Sequence, residues 1–283
     1  MMGGGGSDSA YRVLMGVLES RTGQTLSPSR IWRIEMSLKP VMQRHGIGDL
    51  DALVAALVTS TSRQLLDDTV DAMLNNETFF YREHSVFDDI ATKALDHVRR
   101  ANAASRRLTI WHCGVSTGQE AYSLAMLLAE QAGTWAGWTI QIVGTDVSYH
   151  AISRARIGLY SQFEIQRGLP VQRMVNWFDQ TDAGWLAKAD LRRRVDFSVQ
   201  NMLVDRPPLA APADLVFCRN LLLYFAKPMR EKAFARLRAA AAPQSFLVLG
   251  AGETVLGQTD QFVASQRLRG LYEPADQRTR YAA

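Results

Sequence analysis

From about residue 107 onward, short apolar runs alternate with stretches of helical periodicity. The apolar runs occupy residues 108–113, 139–144, 195–199, 214–218 and 245–250, and the helical stretches between them include residues 120–131 and 228–241. Strands that alternate with helices form crossover units, which build a mainly parallel sheet with helices on both faces. The pattern therefore predicts an open α/β sheet whose ligands bind at the carboxyl ends of the strands.

Residues 10 to about 105 differ, because their apolar residues recur at helical spacing and no run alternates with a period of two. Ser27-Pro28 is typical of a helix start, and Pro40 is expected to kink or end the helix that follows. Between residues 160 and 195 the strand–helix alternation is interrupted, which indicates a helix and a small hairpin. We therefore expect a small helical domain ahead of the α/β domain.

The overall composition is that of a globular protein. Apolar residues make up 47% and charged residues 21% of the 283 residues, which excludes a disordered chain, a collagen-like fibre and a coiled-coil rod. No apolar run reaches the ~18–20 residues of a membrane helix, and residues 1–6 do not resemble a signal peptide. We therefore expect a cytoplasmic protein without membrane insertion. The net charge of +4 is too small to indicate a nucleic-acid partner.

The cysteines and histidines indicate neither a disulfide framework nor a metal site. Cys113 and Cys218 each lie in an apolar run that is expected to be a buried strand. The five histidines form no spaced pair, so we expect them to be structural or exposed.

A glycine-containing turn follows the first predicted strand. Gly114-Val-Ser-Thr-Gly118 leads directly into a helix, so the chain can turn tightly and the helix amides can face a ligand. The spacing differs from the Gly-x-Gly-x-x-Gly that binds a pyrophosphate, and the Lys-Ser/Thr of a phosphate-binding loop is missing. A nucleoside without a diphosphate is therefore favoured, and S-adenosylmethionine is the common one. Asp146, at the end of the second strand, is placed to accept hydrogen bonds from ribose hydroxyls. A plain helix cap or turn aspartate would explain these features about as well.

Four segments together resemble one family of methyltransferases. They are Asn-Glu-Thr-Phe-Phe-Tyr-Arg-Glu at residues 76–83, Ser-Thr-Gly-Gln-Glu-Ala-Tyr-Ser at 116–123, Gly-Thr-Asp-Val-Ser at 144–148 and Phe-Cys-Arg-Asn-Leu-Leu-Leu-Tyr-Phe at 217–225. In their residue types, order and rough spacing, these segments are similar to the motifs of the CheR-type chemoreceptor glutamate methyltransferases. The resemblance covers about residues 10–275. It implies a Rossmann-like S-adenosylmethionine-dependent methyltransferase sheet, with a helical domain at 10–75, a methyltransferase domain at 76–283 and an inserted β-subdomain at about 160–195.

The resemblance also implies which residues hold S-adenosylmethionine. Glu120 would bind its methionine end, Asp146 its ribose, and Asn201 with Met202 its adenine. The implied cofactor-binding residues are Asn76, Thr78, Arg82, Gly114, Glu120, Asp146, Asn201, Met202, Arg219 and Asn220.

Arg82 and Tyr224 are the catalytic residues that the resemblance implies, since they would orient the acceptor carboxylate. Transfer of an activated methyl group to an ionised carboxylate requires that the two groups are aligned and that water is excluded. It requires no metal, general base or covalent nucleophile. Taken alone, Arg82 could instead form a surface ion pair, and Tyr224 could belong to the core. The sequence also departs from the family at Gln119, Ala121 and residues 250–253, where a polar contact near the site could be missing.

The expected partner is the acidic methylation region of chemoreceptor helices. Arg30, Arg33 and Arg44 fall on one side of the second helix, and the resemblance implies that such a basic face meets the receptor. A solvated basic face explains the same pattern. The insert is shorter than in family members that bind a receptor's C-terminal peptide, so we expect no such tether, and we expect a monomer.

The sequence therefore predicts an S-adenosylmethionine-dependent protein-glutamate O-methyltransferase, which releases S-adenosylhomocysteine. A methyltransferase that acts on a different substrate is one alternative. A non-catalytic signalling regulator that binds S-adenosylmethionine is another.

Overall fold

The computed structural model of the chain describes residues 5–26, 31–59 and 61–275, without the side chains of residues 5–7 and 31–33. The chain divides into two compact units. The first consists of Met1–Asn75 and Tyr224–Met229, and the second of Asn76–Leu223 and Arg230–Ala283.

The first unit is helical. Its helices are α1 (Gly5–Thr22), α2 (Ile31–Arg44), α3 (Leu50–Thr59) and α4 (Arg63–Met73). Apolar side chains from all four helices form its core, among them Leu14, Leu38, Leu53 and Leu65. Helical spacing therefore predicts α1, α3 and α4 correctly. The predicted start of the second helix, Ser27-Pro28, lies outside the described residues.

Helix α2 continues through Pro40 to Arg44, so of the two expected outcomes, a kink or an end, the helix does not end at this proline. Proline removes one backbone donor from a helix interior, which is costly by itself. Leu38 and Val41, on either side of Pro40, are both buried in the core of this unit, and their burial offsets the lost hydrogen bond.

The second unit contains the strands. In chain order they are β1 (Arg107–Cys113), β2 (Thr139–Asp146), β3 (Leu159–Tyr160), β4 (Phe178–Thr181), β5 (Gly184–Ala187), β6 (Asp196–Val199), β7 (Ala213–Cys218), β8 (Ala241–Leu249), β9 (Phe262–Ala264) and β10 (Leu271–Pro274). Within the described residues the central sheet has the order β6-β2-β1-β7-β8-β10-β9. Its first five members are parallel, and β10 is antiparallel to both of its neighbours. The predicted α/β class is confirmed.

Helices precede the first of these strands and connect the others. They are α5 (His84–Asp89), α6 (Leu95–Ala101), α7 (Gln119–Glu130), α8 (Tyr149–Ile157), α9 (Gln162–Gln166), α10 (Val171–Trp177), α11 (Ala189–Arg192) and α12 (Lys227–Ala240). A π-helical turn, Ile90–Ala94, joins α5 to α6, and a 3-10 turn spans Leu222–Tyr224. Helix α7 is buried over most of its length, as expected for a crossover helix packed on a parallel sheet.

The strands expected from apolar runs are confirmed, whereas β9 and β10 were not predicted. These two strands have three and four residues, which is too short for alternation to be recognised. They extend the sheet beyond β8 and are specified by their pairing with it.

Strands β3, β5 and β4 form a separate antiparallel sheet. Its β4–β5 hairpin confirms the hairpin predicted between residues 160 and 195. Tyr160 and Phe178, from β3 and β4, contact the buried ring of Phe80 edge to face, at centroid distances of 5.1 and 5.5 Å. This small sheet therefore supports the segment 76–83, which contains several of the predicted site residues.

No helix within residues 5–26, 31–59 or 61–275 is both long enough and apolar enough to cross a membrane.

Gly168 closes the loop between α9 and α10 against the backbone of Phe80. Its φ is +85°, and a Cβ added there would lie 2.0 Å from the Phe80 carbonyl oxygen. Neither an L-residue nor the additional atom can be accommodated without moving the backbone.

We therefore expect Gly168→Ala to lower the free energy of unfolding by about 2–5 kcal/mol, measured by urea denaturation, since left-handed strain and overpacking act together. Gly133→Ala is the matched control, because no positive φ is found there and no described atom lies within 4 Å of an added Cβ. The control should change the stability by less than about 0.5 kcal/mol. Equal stabilities for the two variants would contradict this packing.

Candidate cofactor site at the ends of two parallel strands

The site is built where the strand order of the central sheet reverses. Strand β1 pairs with β2 on one side and with β7 on the other. The crossover connections leave these strands in opposite directions, so a crevice opens beyond their carboxyl ends. Gly114 follows β1 directly, and Arg219 follows β7 directly. Two of the predicted site residues therefore lie at the crevice.

The turn after β1 has a left-handed backbone at three residues. Gly114, Ser116 and Gly118 have φ values of +75°, +52° and +93°. The positive φ of Gly114 favours glycine, and a Cβ added there would also lie 2.9 Å from Leu221 Cδ2, the end of a flexible side chain that would have to shift. The N–H of Gly114 donates to Thr145 O at 2.8 Å. The turn is thereby held against the end of β2.

Asp146 connects this turn to the next one. At the end of β2 its carboxylate accepts the backbone N–H of Ser116 at 2.8 Å and that of Ser148 at 2.9 Å, one on each oxygen. A carboxylate oxygen can accept more than one hydrogen bond, so capacity for ligand hydroxyls remains. Asp146 therefore shapes the turn in addition to any contact with a ligand.

A buried ion-pair network links α7, β7 and the segment 76–83. Arg219 Nη1 donates to Glu120 Oε2 at 2.7 Å, and Arg219 Nη2 contacts Glu83 Oε2 at 2.9 Å. Arg219 Nη2 also donates to the carbonyl oxygen of Arg82 at 2.9 Å. The side chain of Arg219 is 1% exposed and that of Glu120 is 14% exposed. Such a network is held rigidly, because loss of one partner would leave a buried charge unpaired.

His112 provides a further contact to Glu120. Its ring Nδ1 lies 3.1 Å from Glu120 Oε1, and its side chain is completely buried. Both oxygens of Glu120 therefore have a partner from a neighbouring strand end.

The surroundings keep Glu120 ionised. Burial alone would raise the pKa of this carboxyl group, but the Arg219 guanidinium and the hydrogen bond from His112 outweigh burial and lower the pKa to about 2. Burial alone would likewise lower the pKa of Arg219, but Glu120 and Glu83 raise it.

The segment 76–83 is fastened to the rest of the second unit along its length. Asn76 O accepts a hydrogen bond from Ser116 Oγ at 2.8 Å, and Glu77 forms an ion pair with Arg167 at 2.7 Å. The N–H of Tyr81 donates to Ser123 Oγ at 3.1 Å. These contacts hold the backbone that carries the predicted residues Asn76, Thr78 and Arg82.

Arg82 lies between two residues with a left-handed backbone, Tyr81 (φ 51°) and Glu83 (φ 60°). Its Nη1 donates to Glu77 O at 3.3 Å, and its guanidinium lies 5.5 Å from the centroid of the Phe79 ring. In the described part of the chain Arg82 forms no ion pair, so the alternative of a surface ion pair is not observed. Strained backbone on both sides of a half-buried arginine is typical of functional segments.

A cavity of about 350 Å³ lies beside this segment. It is lined by Asn76, Glu77, Thr78, Thr117, Gln119, His150, Ala151, Arg154, Glu164 and Arg167. Two of the predicted cofactor-binding residues, Asn76 and Thr78, therefore face an open space.

Asn201 and Met202 follow β6, next to the end of β2. Asn201 Oδ1 accepts the N–H of Leu203 at 2.9 Å, which shapes the turn. Met202 is buried, with its sulfur 3.4 Å from Cys113 Sγ. A buried apolar side chain, that of Met202, therefore lies next to a short polar turn just after β6.

Asn220 has a left-handed backbone (φ 58°), and its N–H donates to Glu253 Oε2 at 2.7 Å. Glu253 also accepts the N–H of Gly250 at 2.9 Å and that of Leu223 at 3.3 Å. Burial raises the pKa of Glu253, against the effect of these hydrogen bonds. Sequence reasoning noted residues 250–253 only for a missing polar contact, whereas Glu253 organises the turn after β7.

Tyr224 belongs to the first unit. Its hydroxyl accepts a hydrogen bond from Asn75 Nδ2, and its carbonyl oxygen accepts the N–H of Thr25 at 2.8 Å. Its predicted cooperation with Arg82 stays a prediction.

The charges at the strand ends fit a cationic ligand. Glu83 and Glu120 carry two negative charges, and Arg219 carries one positive charge, so the buried network has one net negative charge. A ligand with a net charge of +1, such as one that carries a sulfonium, an ammonium and a carboxylate group, would balance it, and Asp146 offers acceptors for hydroxyl groups. The residues present therefore fit S-adenosylmethionine.

Comparison with known proteins identifies the family. The family model described as "CheR methyltransferase, SAM binding domain" matches residues 76–270. The chain belongs to the CheR methyltransferase family. S-adenosylmethionine is its cofactor, and methyl transfer is its activity.

Two relatives illustrate the similarity. The "Chemotaxis protein methyltransferase 1" of Vibrio cholerae serotype O1 is 34% identical over 259 residues, which cover 90% of this chain and 93% of that protein. The "Chemotaxis protein methyltransferase 1" of Pseudomonas aeruginosa is 33% identical over 258 residues, with the same coverage of both chains.

Two residues of the network, Glu83 and His112, and one residue that holds the turn after β7, Glu253, were not predicted as site residues. Glu83 lay in a motif used for the resemblance, and its acidic character next to Arg82 was the available signal. His112 was expected to be merely structural or exposed, and Glu253 had no assigned contact. Nothing in their spacing indicates the partners they find, because those partners come from other strands.

We expect Arg219→Gln to raise the pKa of Glu120 above its wild-type value of about 2, since burial would then be opposed by His112 alone and no longer by the guanidinium. A carboxyl group with a lowered folded-state pKa stabilises the fold fully above the unfolded-state pKa, and this stabilisation is lost as the pH falls toward the folded-state value. In the wild type the loss therefore occurs between about pH 4.5 and 2, and in the variant Glu120 stabilises the fold less.

Nuclear magnetic resonance titration of the Glu120 carboxyl carbon measures this shift. Arg193→Gln is the control, because that arginine pairs with Asp190 at an exposed position. An unchanged Glu120 pKa in Arg219→Gln would contradict the network.

Proposed function

We propose that this methyltransferase forms γ-methyl esters on glutamate side chains of chemoreceptors, releasing S-adenosylhomocysteine. Membership of the CheR family and the names of the relatives, chemotaxis protein methyltransferases, support this substrate class. The observation that carries the proposal is the buried network of Arg219 with Glu120 and Glu83, beside a half-buried Arg82. A cation and a carboxylate would thus have separate, adjacent binding groups.

The proposed cofactor contacts follow the strand ends. Glu120 would accept the ammonium group of the methionine end, Asp146 the ribose hydroxyls, and Asn201 with Met202 would bind the adenine. The remaining proposed contacts come from Asn76, Thr78, Arg82, Gly114, Arg219 and Asn220. The carboxylate of Glu120, ionised well below neutral pH, supports its part in this assignment.

When bound, S-adenosylmethionine supplies a methyl group already activated on a sulfonium. The acceptor glutamate is ionised at neutral pH, since the ordinary pKa of a glutamate side chain lies well below 7, so the protein needs no general base. Arg82 would hold the acceptor carboxylate through its guanidinium fork, and the Tyr224 hydroxyl would donate one hydrogen bond. Each contact partly neutralises the nucleophile, so both residues orient it and do not activate it. The increase in the rate of methyl transfer would come from alignment of the reacting groups and from exclusion of water.

For receptor docking we propose the basic face of α2. Arg30 lies outside the described residues, and the side chain of Arg33 is likewise not described. Arg44 forms an ion pair with the buried Asp68 at 2.9 Å, so it also has a structural role that the sequence did not indicate. A long-range attraction to acidic receptor helices would act mainly on the association rate. We further propose a cytoplasmic monomer without a receptor-peptide tether.

The function is tested with S-adenosylmethionine labelled in its methyl group and a purified chemoreceptor cytoplasmic fragment. We expect label on the receptor that mild alkali releases as methanol, as for a γ-methyl ester, and no label on a fragment whose exposed glutamates are replaced by alanine. Cofactor binding without transfer to any protein would indicate a regulator instead. Transfer to a small molecule or RNA would indicate a methyltransferase with a different substrate.

We expect Asp146→Ala to weaken S-adenosylhomocysteine binding by about 1–3 kcal/mol, measured by calorimetry, because ribose hydrogen bonds are lost. Asp182→Ala, in the exposed β4–β5 turn, is the control and should bind normally. An unchanged dissociation constant for Asp146→Ala would remove Asp146 from the site.

We expect Arg82→Gln to lower kcat about 10- to 100-fold, because the acceptor carboxylate loses its orienting guanidinium. The midpoint of thermal unfolding should stay within about 2 °C of the wild type, since Arg82 makes few contacts of its own. Arg193→Gln again serves as the control in the same methylation assay. A normal methylation rate in Arg82→Gln would refute the role of Arg82.

A further inference from the structure

His112 occupies an unusual place in the sheet. It is the penultimate residue of β1, and its side chain is completely buried. In the β1–β7 register it lies opposite Phe217, and the two rings are stacked, with centroids 4.2 Å apart and an interplanar angle of 23°. A phenyl ring would satisfy this packing, so packing alone does not account for an imidazole.

The polar contact of His112 goes to Glu120. Its Nδ1 lies 3.1 Å from Glu120 Oε1, while Arg219 Nη1 lies 2.7 Å from Glu120 Oε2. An ionised carboxylate can only accept hydrogen bonds, so Nδ1 must carry the proton and donate it. Two donors from adjacent strand ends therefore fix both oxygens of one carboxylate, which leaves Glu120 a single orientation.

The other ring nitrogen forms no hydrogen bond within the described part of the chain. His112 Nε2 is buried and has no hydrogen-bond partner among the described residues. A buried polar atom without a partner destabilises a fold relative to an apolar ring of the same shape. Stability of the fold therefore does not explain the histidine, whereas the orientation of Glu120 does.

We propose that His112 is a positioning residue for the cofactor, one that acts through Glu120 and does not touch the ligand. It holds the Glu120 carboxylate so that the lone pairs left free by His112 and Arg219 face the ammonium group of S-adenosylmethionine. The inference rests on the proposed role of Glu120 and adds a residue that no family motif in the sequence contains. If His112 were purely structural, replacing it would weaken the binding of every ligand and lower the stability of the fold alike. A loss of affinity confined to ligands that carry the amino-acid end therefore distinguishes a positioning role from a structural one.

The test uses His112→Phe, which keeps the stacked ring and removes the donor. Calorimetry compares S-adenosylhomocysteine with 5′-methylthioadenosine, which lacks the amino-acid end, the weaker ligand being measured by displacement. We expect the dissociation constant of S-adenosylhomocysteine to rise about tenfold, which is ~1.4 kcal/mol, and that of 5′-methylthioadenosine to change less than twofold. Equal losses for both ligands, or no loss for either, would overturn the proposal.

His112→Asn is the matched rescue, because its amide nitrogen can donate from nearly the position of Nδ1. We expect its affinity for S-adenosylhomocysteine to lie within about threefold of the wild type, since the charge-assisted hydrogen bond is retained. An asparagine variant as weak as the phenylalanine variant would contradict a role for the donor.

A measurement on the wild-type protein keeps the proposal testable if His112→Phe does not fold. Nitrogen-15 resonance of the histidine rings should find the proton of His112 on Nδ1, and a ring protonated on Nε2 alone would overturn the proposal. If the wild type binds neither ligand, the proposed function fails. If it binds both and His112→Phe changes neither affinity, only the role of His112 fails.

Discussion

The ion pair of Arg219 with Glu120 and Glu83 is the interaction on which the site depends. Arg219 comes from the end of β7, Glu120 from the first turn of α7 and Glu83 from the segment after the helical unit. A guanidinium that is almost fully buried needs both carboxylates, and each carboxylate needs it, because an unpaired charge in this environment is costly. The three chain segments are therefore held together by electrostatics at the point where the parallel strands end.

The same site is shaped by carboxylates that accept backbone N–H groups. Asp146 holds the turn after β1 through Ser116, and Glu253 holds the turn after β7 through Asn220. Both turns that donate these N–H groups contain a residue other than glycine with positive φ, a conformation that costs energy unless its surroundings stabilise it. The crevice is thus preorganised by hydrogen bonds within the protein, which leaves less to be ordered when a ligand binds.

Much of this arrangement could be predicted, and the reason differs between residues. Gly114 and Asp146 were found because local geometry dictates their types, a tight turn for one and a strand end for the other. Arg82, Glu120 and Arg219 were named through motifs similar to those of a known family. His112 and Glu253 were missed. One is an imidazole in an apolar strand and the other a glutamate in a loop, and their roles depend on partners about 8 and 33 residues away in the chain.

The sequence by itself determined the α/β class, the main strands and helices of both units and the chemical type of the ligand, because periodicity, turn residues and motif residues are local properties. The tertiary structure decided which charges meet. It paired Arg44 with Asp68, shared Arg219 between two carboxylates and set His112 against Glu120. It also added β9 and β10, whose short runs become strands only because β10 pairs with β8 and β9 with β10. Pairing of this kind depends on which strand ends become neighbours in the sheet, and that order results from the packing of the whole chain.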